Sequence, residues 1–353
     1  MPKFFEQLVQ KAGNEFAHKV SEGLENVAQF VDTGSYALNA LLSGTIYGGM
    51  PNNKVTALAG EESTGKSFYA LSIARHFQEM YEDGAVICFE SEGALDNSKQ
   101  TTDLLKARSI DTERFFILPV ITIQEFRTQA IKVLNDYLST PESDRKPLLI
   151  ILDSLGNVST NKEVNDMAEG KDTRDMTRTQ LIRGAFRAIT LKLNRAKVPM
   201  IVTNHTYEVV GSYVPTKEMS GGGGLKYAAS IITYLSKSKK KDTDNQVTGA
   251  LISVKIDKSR FTREEKKIIT LFDHTRGLDR YYGLLDIAEQ GGVVEKISTK
   301  YKFPNGKSGF ESVIYREPEK WFDKSVLDAI DVAAGKLFKY GEGENVPVDE
   351  TEV

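Results

Sequence analysis

The sequence predicts an α/β fold whose central sheet is mostly parallel and is flanked by helices on both faces. Short and nearly continuous apolar segments recur between about residues 34 and 275, and helical segments separate them. Such segments are typical of parallel strands that are buried on both faces. A chain of 353 residues is also long enough for one large domain and a smaller one. The predicted parallel strands are KVTALA, AVICFE, RFFILPV, PLLIILD and PMIVTN.

The regions around this sheet follow from periodicity and composition. Residues 1–31 predict one or two amphipathic helices, because apolar residues recur there at steps of three and four. Their apolar side is expected to pack either on another chain or on its own domain, and the pattern leaves both open. Residues 32–275 form the predicted core, and residues 276–340 form a small C-terminal region. Residues 341–353 carry five acidic and no basic residues and predict a disordered tail.

The segment IITYLSKSKKKDTDNQVTGALISVKI follows the last parallel strand and predicts an antiparallel hairpin with a polar tip. Lysines crowd that tip, and such a run is most often a solvated turn. These lysines are Lys237, Lys239, Lys240 and Lys241.

Composition limits the class of protein. Hydrophobic residues make up 40% of the chain, which is ordinary for a globular domain. No apolar run approaches the roughly 20 residues of a membrane-spanning helix, so no membrane partner is expected. Cys88 is the only cysteine, which excludes an intrachain disulfide and favours the reducing cytoplasm. The net charge of −3 neither indicates nor excludes nucleic acid as a partner.

The segment GEESTGKSF after the first predicted strand has the spacing of a phosphate-binding loop. Gly60, Gly65, Lys66 and Ser67 fit the pattern G-x-x-x-x-G-K-[ST]. The backbone of such a loop wraps an anion, the lysine reaches the β- and γ-phosphates, and the serine hydroxyl binds Mg²⁺. The alternative is a Gly/Ser turn with an exposed Lys66, which the strand–loop–helix context disfavours. The predicted nucleotide-binding residues are Gly60, Glu61, Glu62, Ser63, Thr64, Gly65, Lys66, Ser67, Phe68 and Asp153.

Polar residues stand where the other predicted strands end, which is the edge at which parallel sheets bind ligands. Asp153 ends the strand PLLIILD and is expected to hold Mg²⁺ with Ser67. Either Glu90 or Glu92 is placed to orient a water for hydrolysis. His205, after PMIVTN, is a candidate sensor of the γ-phosphate, although a lone histidine is more often a structural hydrogen bonder.

Two long segments with little regular pattern follow neighbouring strands, at residues 156–178 and 206–224. Segments of this length within a compact domain are usually functional. Two mobile loops beside a nucleotide site favour a protein that binds a polymer under the control of ATP. They are less typical of a kinase with a pocket for a small molecule.

Several longer motifs occur in a recognisable order between about residues 30 and 300. They are LLSGTIYGGMPNNKVTALAGEESTGKS, CFESEGALD, ILDSLGN, DMTR, NHTYE, GGGGLKYAAS, DKSR and YYGLLDIAEQGGVVEK. With these motifs the chain resembles the RecA-type DNA strand-exchange recombinases, and most closely the UvsX recombinases of tailed phages. The phosphate loop alone is generic, whereas NHTYE together with the glycine-rich loop is specific. The resemblance implies a RecA-like ATPase core with an N-terminal helical oligomerisation segment.

The resemblance also implies roles for individual residues. Glu92 matches the general base and His205 the γ-phosphate sensor, where bacterial relatives carry Gln. Lys258 and Arg260 match cations that reach the ATP of a neighbouring subunit. Residues 156–178 and 206–224 match the two DNA-binding loops, with Val210, before Gly211, as an apolar wedge between bases.

The chain departs from the family pattern in two places. Leu104 stands where the family usually stacks a tyrosine on adenine, and Tyr207 and Val209 replace basic residues of the second loop. Phosphate contacts are therefore expected from Arg178, Lys217 and Lys226, while tyrosines stack on bases. The predicted DNA-binding residues are Arg178, Tyr207, Val210, Gly211, Tyr213, Lys217, Gly221, Gly222, Gly223, Gly224 and Lys226.

The resemblance implies a DNA-dependent ATPase that forms filaments on single-stranded DNA and pairs it with double-stranded DNA. ATP and Mg²⁺ are the implied ligands, and a recombination mediator and a single-strand-binding protein are the implied partners. The implied location is the cytoplasm of a phage-infected bacterium. The alternatives are a RecA-fold ring helicase and a non-catalytic mediator or inhibitor. The presence of the Lys66, Glu92 and Asp153 side chains disfavours the second of these.

Overall fold

The computed structural model describes residues 2–14, 17, 30–171, 175–208, 217–241 and 247–341. The helices are α1 (Pro2–Lys11), α2 (Tyr36–Ser43), α3 (Lys66–Met80), α4 (Lys99–Ala107), α5 (Ile123–Ser139), α6 (Asn161–Ala168), α7 (Arg178–Ala196), α8 (Gly223–Ala228), α9 (Leu284–Gln290), α10 (Glu311–Ile314) and α11 (Lys324–Phe338). The strands up to the second loop are β1 (Phe30–Val31), β2 (Met50–Pro51), β3 (Val55–Gly60), β4 (Ala85–Glu90), β5 (Phe115–Pro119), β6 (Leu148–Asp153), β7 (Met200–Glu208) and β8 (Lys217–Met219). The later strands are β9 (Ile231–Lys241), β10 (Val247–Ser259), β11 (Lys267–Asp273), β12 (Gly277–Leu278), β13 (Glu295–Ile297), β14 (Lys300–Lys302) and β15 (Ser308–Phe310).

One large sheet carries the fold, with strand order β12-β11-β10-β9-β3-β7-β6-β4-β5 and β8 paired to β7. The strands from β9 to β5 in that order run parallel, and β10, β11 and β12 are antiparallel additions. All five predicted parallel strands are confirmed as β3 to β7. The predicted hairpin is confirmed as β9 and β10, and residues 242–246 at its tip lie outside the described residues.

Two hydrophobic cores cover the faces of this sheet. Because successive residues of a strand point to opposite faces, Ile150 and Leu152 of β6 join one core while Leu149 and Ile151 join the other. Helices α5 and α7 cover the first face, and α2 and α3 cover the second. Burial on both faces explains the continuous apolar segments of the inner strands β3, β6 and β7, whereas β5 is the edge strand and its Phe116 is exposed.

The C-terminal region continues the second core. Val326, Ile330 and Phe338 of α11 belong to the same hydrophobic cluster as residues of α2 and α3. The Asp331 carboxylate also accepts hydrogen bonds from the Thr45 hydroxyl at 2.6 Å and from the Ile46 N–H at 2.8 Å. The tail residues 342–353 lie outside the described residues.

At the N-terminus, α1 has the predicted amphipathic character. Its apolar side chains Phe4, Phe5, Leu8 and Val9 are exposed. Most of the predicted helical segment after it, from residue 15 to residue 29, lies outside the described residues.

The expectation of little regular structure is wrong for large parts of the two loops. Residues 161–168 form α6, because the Thr160 side chain caps the helix and Glu163 returns the hydrogen bond to the Thr160 N–H. In the second loop, β7 continues to Glu208 and pairs with β8, and α8 begins at Gly223. Residues 172–174 and 209–216 lie outside the described residues.

Among the described residues, no helix is both long enough and apolar enough to cross a membrane.

Candidate functional site

The predicted phosphate loop connects β3 to α3 and has the backbone that wrapping an anion requires. Gly65, the N-cap of α3, adopts φ +95°, and a side chain there would also lie 2.8 Å from Ile252 Cδ1. A side chain at Gly60 would lie 2.5 Å from the Thr64 hydroxyl, which itself donates to the Glu61 carbonyl. Only glycine fits both positions, so the loop is a cradle open to a phosphate chain.

Lys66 is the buried cation of this cradle. Its ammonium donates to the carbonyls of Gly60 at 3.1 Å and Glu61 at 2.7 Å. Burial lowers the pKa of Lys66, and the negative charges of Glu92 and Asp153 act against that shift. An ammonium held among carbonyls at a helix N-terminus can transfer to phosphate oxygens at little reorganisation cost.

Strand register brings the other polar residues to the same edge. Gly60 lies beside His205 in the β3–β7 pair, and Glu90 lies beside Asp153 in the β4–β6 pair. The Asp153 carboxylate accepts hydrogen bonds from Thr203 and Ser67. Burial raises the pKa of Asp153, and the charges of Glu92 and Glu90 raise it further.

Ser67 and Asp153 together fit the predicted Mg²⁺ site. A hydroxyl and a partly buried carboxylate form a hard oxygen donor set, and their contact brings both within reach of one ion beside the phosphate cradle. A cation there would also relieve the cost of the partly buried Asp153 charge.

The structure distinguishes the two candidate bases. Glu90 is buried, and its carboxylate accepts the N–H groups of Glu92 at 2.9 Å, Gly93 at 2.9 Å and Ala94 at 3.1 Å. It therefore shapes the turn that presents Glu92. Although burial acts to raise the pKa of Glu92, the Ser154 hydroxyl, His205 and Lys66 together hold it below its usual value. Glu92 is thus ionised and accessible, as a general base must be.

His205 connects this carboxylate to the second loop. Its Nε2–H donates to Glu92 Oε1 at 3.0 Å, and its main-chain carbonyl accepts the Ser220 N–H at 2.8 Å. The neighbouring Asn204 side chain donates to the Ser220 carbonyl at 2.8 Å. The base of the second loop is therefore closed by the residues that end β7.

The glycines of the second loop pack closely against α7. Gly221 and Gly222 have positive φ angles, and a side chain on Gly224 would lie 2.9 Å from the Arg183 main-chain nitrogen. The ammonium of Lys217 pairs with the Glu61 carboxylate, so β8 also contacts the phosphate loop. Tyr207 is half exposed.

Three predicted DNA-binding residues of this loop, Val210, Gly211 and Tyr213, lie outside the described residues. Lys226 pairs with Asp257 at 3.6 Å. In the first loop, Arg178 donates to the carbonyls of Gly156 and Val158, both at 2.9 Å, and so holds that loop rather than pointing freely outward. The DNA contacts of these residues stay predictions.

Arg260 lies at the opposite end of the sheet from the phosphate loop, whereas Lys258 lies level with Ala57 in the middle of β3. The Arg260 N–H donates to the Ser230 carbonyl, and the Ser230 N–H donates to the carbonyl of Val55, the first residue of β3. Gly60 is five residues further along β3, a distance of about 16 Å at the usual rise per residue. Lys258 donates to the Lys226 carbonyl at 2.7 Å. Arg260 therefore cannot reach its own chain's phosphate loop.

The structure also shows a basic groove that the sequence analysis did not identify. It has a volume of about 590 Å³ and lies between α7 and α8. Its cations are Lys54, Arg183, Arg187 and Arg260. The Arg183 guanidinium lies 5.2 Å from the ring centroid of the exposed Tyr227. The four-residue spacing of Arg183 and Arg187 on a helix was the signal that could have shown it.

Comparison with known proteins agrees with this geometry. The profile of the RecA N-terminal domain matches residues 3–278. The chain belongs to the RecA family. This confirms the resemblance drawn from the motifs and the RecA-like α/β fold class.

Curated relatives come from a phage and from bacteria. The recombination and repair protein of Enterobacteria phage T4 is 30% identical over 259 residues, which cover 73% of this chain and 63% of that protein. This chain thus spans less than two thirds of the phage relative's length. Protein RecA of Nocardioides sp. is 25% identical over 313 residues, covering 86% of this chain and 83% of that protein. Protein RecA of Thermotoga maritima is 27% identical over 281 residues, covering 78% and 72%.

Proposed function

We propose that this RecA-family protein is a DNA-dependent ATPase that forms helical filaments on single-stranded DNA and pairs that strand with homologous double-stranded DNA. The observation that carries the proposal is the position of His205, whose side chain contacts Glu92 and whose main chain closes the second loop. One residue joins the nucleotide site to the segment expected to grip DNA, and this is the connection that an ATP-switched grip requires.

In the proposed reaction, the loop N–H groups and Lys66 hold the triphosphate of ATP. Glu92 orients a water and accepts its proton as the water attacks the γ-phosphorus, the bond from that phosphorus to the β–γ bridging oxygen breaks, and ADP leaves with the bridging oxygen. Ser67 and Asp153 would hold Mg²⁺, which when bound offsets the phosphate charge. In the ATP-bound state His205, beside Glu92, would contact the γ-phosphate, and this contact would bias the main chain that anchors Ser220.

A second copy of the chain completes the site. Arg260 is about 16 Å along the sheet from its own phosphate loop, so it acts only on the nucleotide of a neighbouring subunit. A cation supplied in this way accelerates phosphoryl transfer about 10³- to 10⁵-fold in other NTPases. Hydrolysis should therefore depend on assembly. The exposed apolar side of α1 is the surface proposed to dock on the neighbour.

The remaining partners are proposed from the family. A recombination mediator and a single-strand-binding protein would control loading, and the protein would act in the cytoplasm of a phage-infected bacterium.

Electron microscopy with single-stranded DNA and a slowly hydrolysed ATP analogue tests the proposal. Helical filaments are expected, together with strand exchange between the coated strand and a homologous duplex. Closed rings with duplex unwinding would instead indicate a helicase, and an absence of both assemblies would indicate a non-catalytic mediator. A Lys66→Ala variant, which keeps the fold but loses the phosphate contact, is the matched control.

A further inference from the structure

Arg108 lies beside the nucleotide cradle and has no assigned role. It is the C-cap residue of α4, and its guanidinium carbon lies 4.9 Å from the ring centroid of Phe68. Phe68 is in the first turn of α3, two residues after Lys66. The Phe68 ring in turn packs edge-on against Phe272 at 4.0 Å between centroids. Arg108 thus projects over an aromatic surface next to the phosphate loop.

The Arg108 guanidinium has no polar partner among the residues that the structure describes. It is half-buried, and burial lowers its pKa without an offsetting charge from any carboxylate in the described part of the chain. By contrast, Arg114 binds Asp111 and three carbonyls, and Arg280 binds Asp32. A guanidinium carries five donors and two flat faces, and only one face of Arg108 lies on Phe68. Its other face and its donors are therefore available to a ligand.

A nucleotide in the cradle would extend its base toward Arg108. Its γ-phosphate end must face Glu92 and His205, the groups proposed for hydrolysis. The nucleoside would then leave the cradle toward the first turn of α3, which carries Phe68. Leu104, at the position expected to stack on adenine, is one helical turn before Arg108 on the same face of α4 and is 39% exposed.

We propose that Arg108 binds the base of the nucleotide by stacking its planar guanidinium on the ring. In this arrangement the Phe68 ring packs on one face of the guanidinium and the base stacks on the other face. Arg108 thereby takes the role of the aromatic residue expected at Leu104. Guanidinium planes stack well on aromatic rings, and every base offers such a face. The site should consequently bind ATP and GTP with similar affinity. This inference rests on the proposed nucleotide site.

Competition binding with ATP, GTP and tripolyphosphate tests the assignment, because tripolyphosphate has the phosphates but no base. The variant is Arg108→Met, which keeps an apolar stem on Phe68 and removes the charged plane. ATP and GTP should both bind about 5- to 30-fold more weakly, while tripolyphosphate binding stays unchanged. Arg75→Met is the matched control, since Arg75 is a partly exposed residue of α3 that pairs with Glu79, and it should change nothing.

The other outcomes contradict the proposal in separate ways. Unchanged ATP affinity, or an equal loss for tripolyphosphate, would overturn base binding by Arg108. A loss confined to one purine would overturn the stacking geometry. Arg108→Lys, which keeps charge but not the plane, should lose most of the affinity and so provides an independent measurement. If wild-type protein bound neither ATP nor tripolyphosphate, the proposed function itself would fail.

Discussion

Replacing His205 with alanine should uncouple DNA binding from the nucleotide state. The change removes the 3.0 Å hydrogen bond to Glu92 and leaves the main-chain bond to Ser220 in place. The second loop should therefore stay folded at its base, but the γ-phosphate should no longer influence it. The variant is expected to bind nucleotide almost normally.

The size of the effect can be estimated from the geometry. A hydrogen bond to a charged group contributes about 1.5–3 kcal/mol, and partial solvent screening reduces this. The His205 and Glu92 side chains are 31% and 26% exposed, so about 1 kcal/mol is expected. That corresponds to about a fivefold change in affinity. The ratio of single-stranded DNA affinities with ATP analogue and with ADP should fall by about that factor.

The assay is single-stranded DNA binding at one fixed salt concentration, with ADP and with a slowly hydrolysed analogue. His205→Gln keeps a hydrogen-bond donor and should retain part of the ratio. A double-mutant cycle with Glu92→Gln should show an interaction energy of about 1 kcal/mol between the two sites. If His205→Ala keeps the wild-type ratio, or if the two substitutions are additive, His205 is a structural hydrogen bonder and the coupling argument is wrong.

Three further substitutions test other parts of the site. Glu92→Gln should slow ATP hydrolysis by about 10²- to 10⁴-fold in steady-state assays and leave nucleotide binding intact; a smaller loss than with Glu90→Gln would reverse their assigned roles. Asp153→Asn should abolish hydrolysis yet raise the thermal stability at neutral pH without Mg²⁺. Burial raises the pKa of Asp153 in the folded protein above its ordinary value of 3.8. The folded protein therefore holds this proton more tightly than the unfolded chain does, and its free energy of unfolding falls as the pH rises from 3.8 through the raised pKa. Melting curves across pH should show the gain of Asp153→Asn disappear toward pH 3.8, and a constant gain would point to another cause. Arg260→Ala should abolish hydrolysis alone but recover part of it when mixed with Lys66→Ala, because a mixed filament contains some intact shared sites. No recovery in confirmed mixed filaments would mean that Arg260 does not act across subunits.

The loops show why some regular structure was missed. The segment TNKE at residues 160–163 has the capping-box spacing, and it does begin α6. The prediction of a long irregular loop gave that local signal too little weight. Similarly, the four glycines near residue 222 suggested mobility, whereas at Gly221 and Gly224 a side chain would collide with α7. Glycine occurs both where two backbones approach closely and where the chain is flexible. The composition of a segment therefore does not distinguish the two cases.

Local patterns in the sequence determined the strands, the phosphate loop and the family. AVICFE became β4 and GEESTGKS became the cradle, because burial on both faces and the loop's glycines impose residue types over a few neighbouring positions. Only the tertiary structure favours Glu92 over Glu90 as the proposed base, since the two carboxylates differ in the partners that the fold provides. It also decided that Arg260 lies far from its own loop and that Arg108 stands over Phe68. These relations join residues that are distant in the chain, and they depend on strand order and side-chain direction, which no local pattern records.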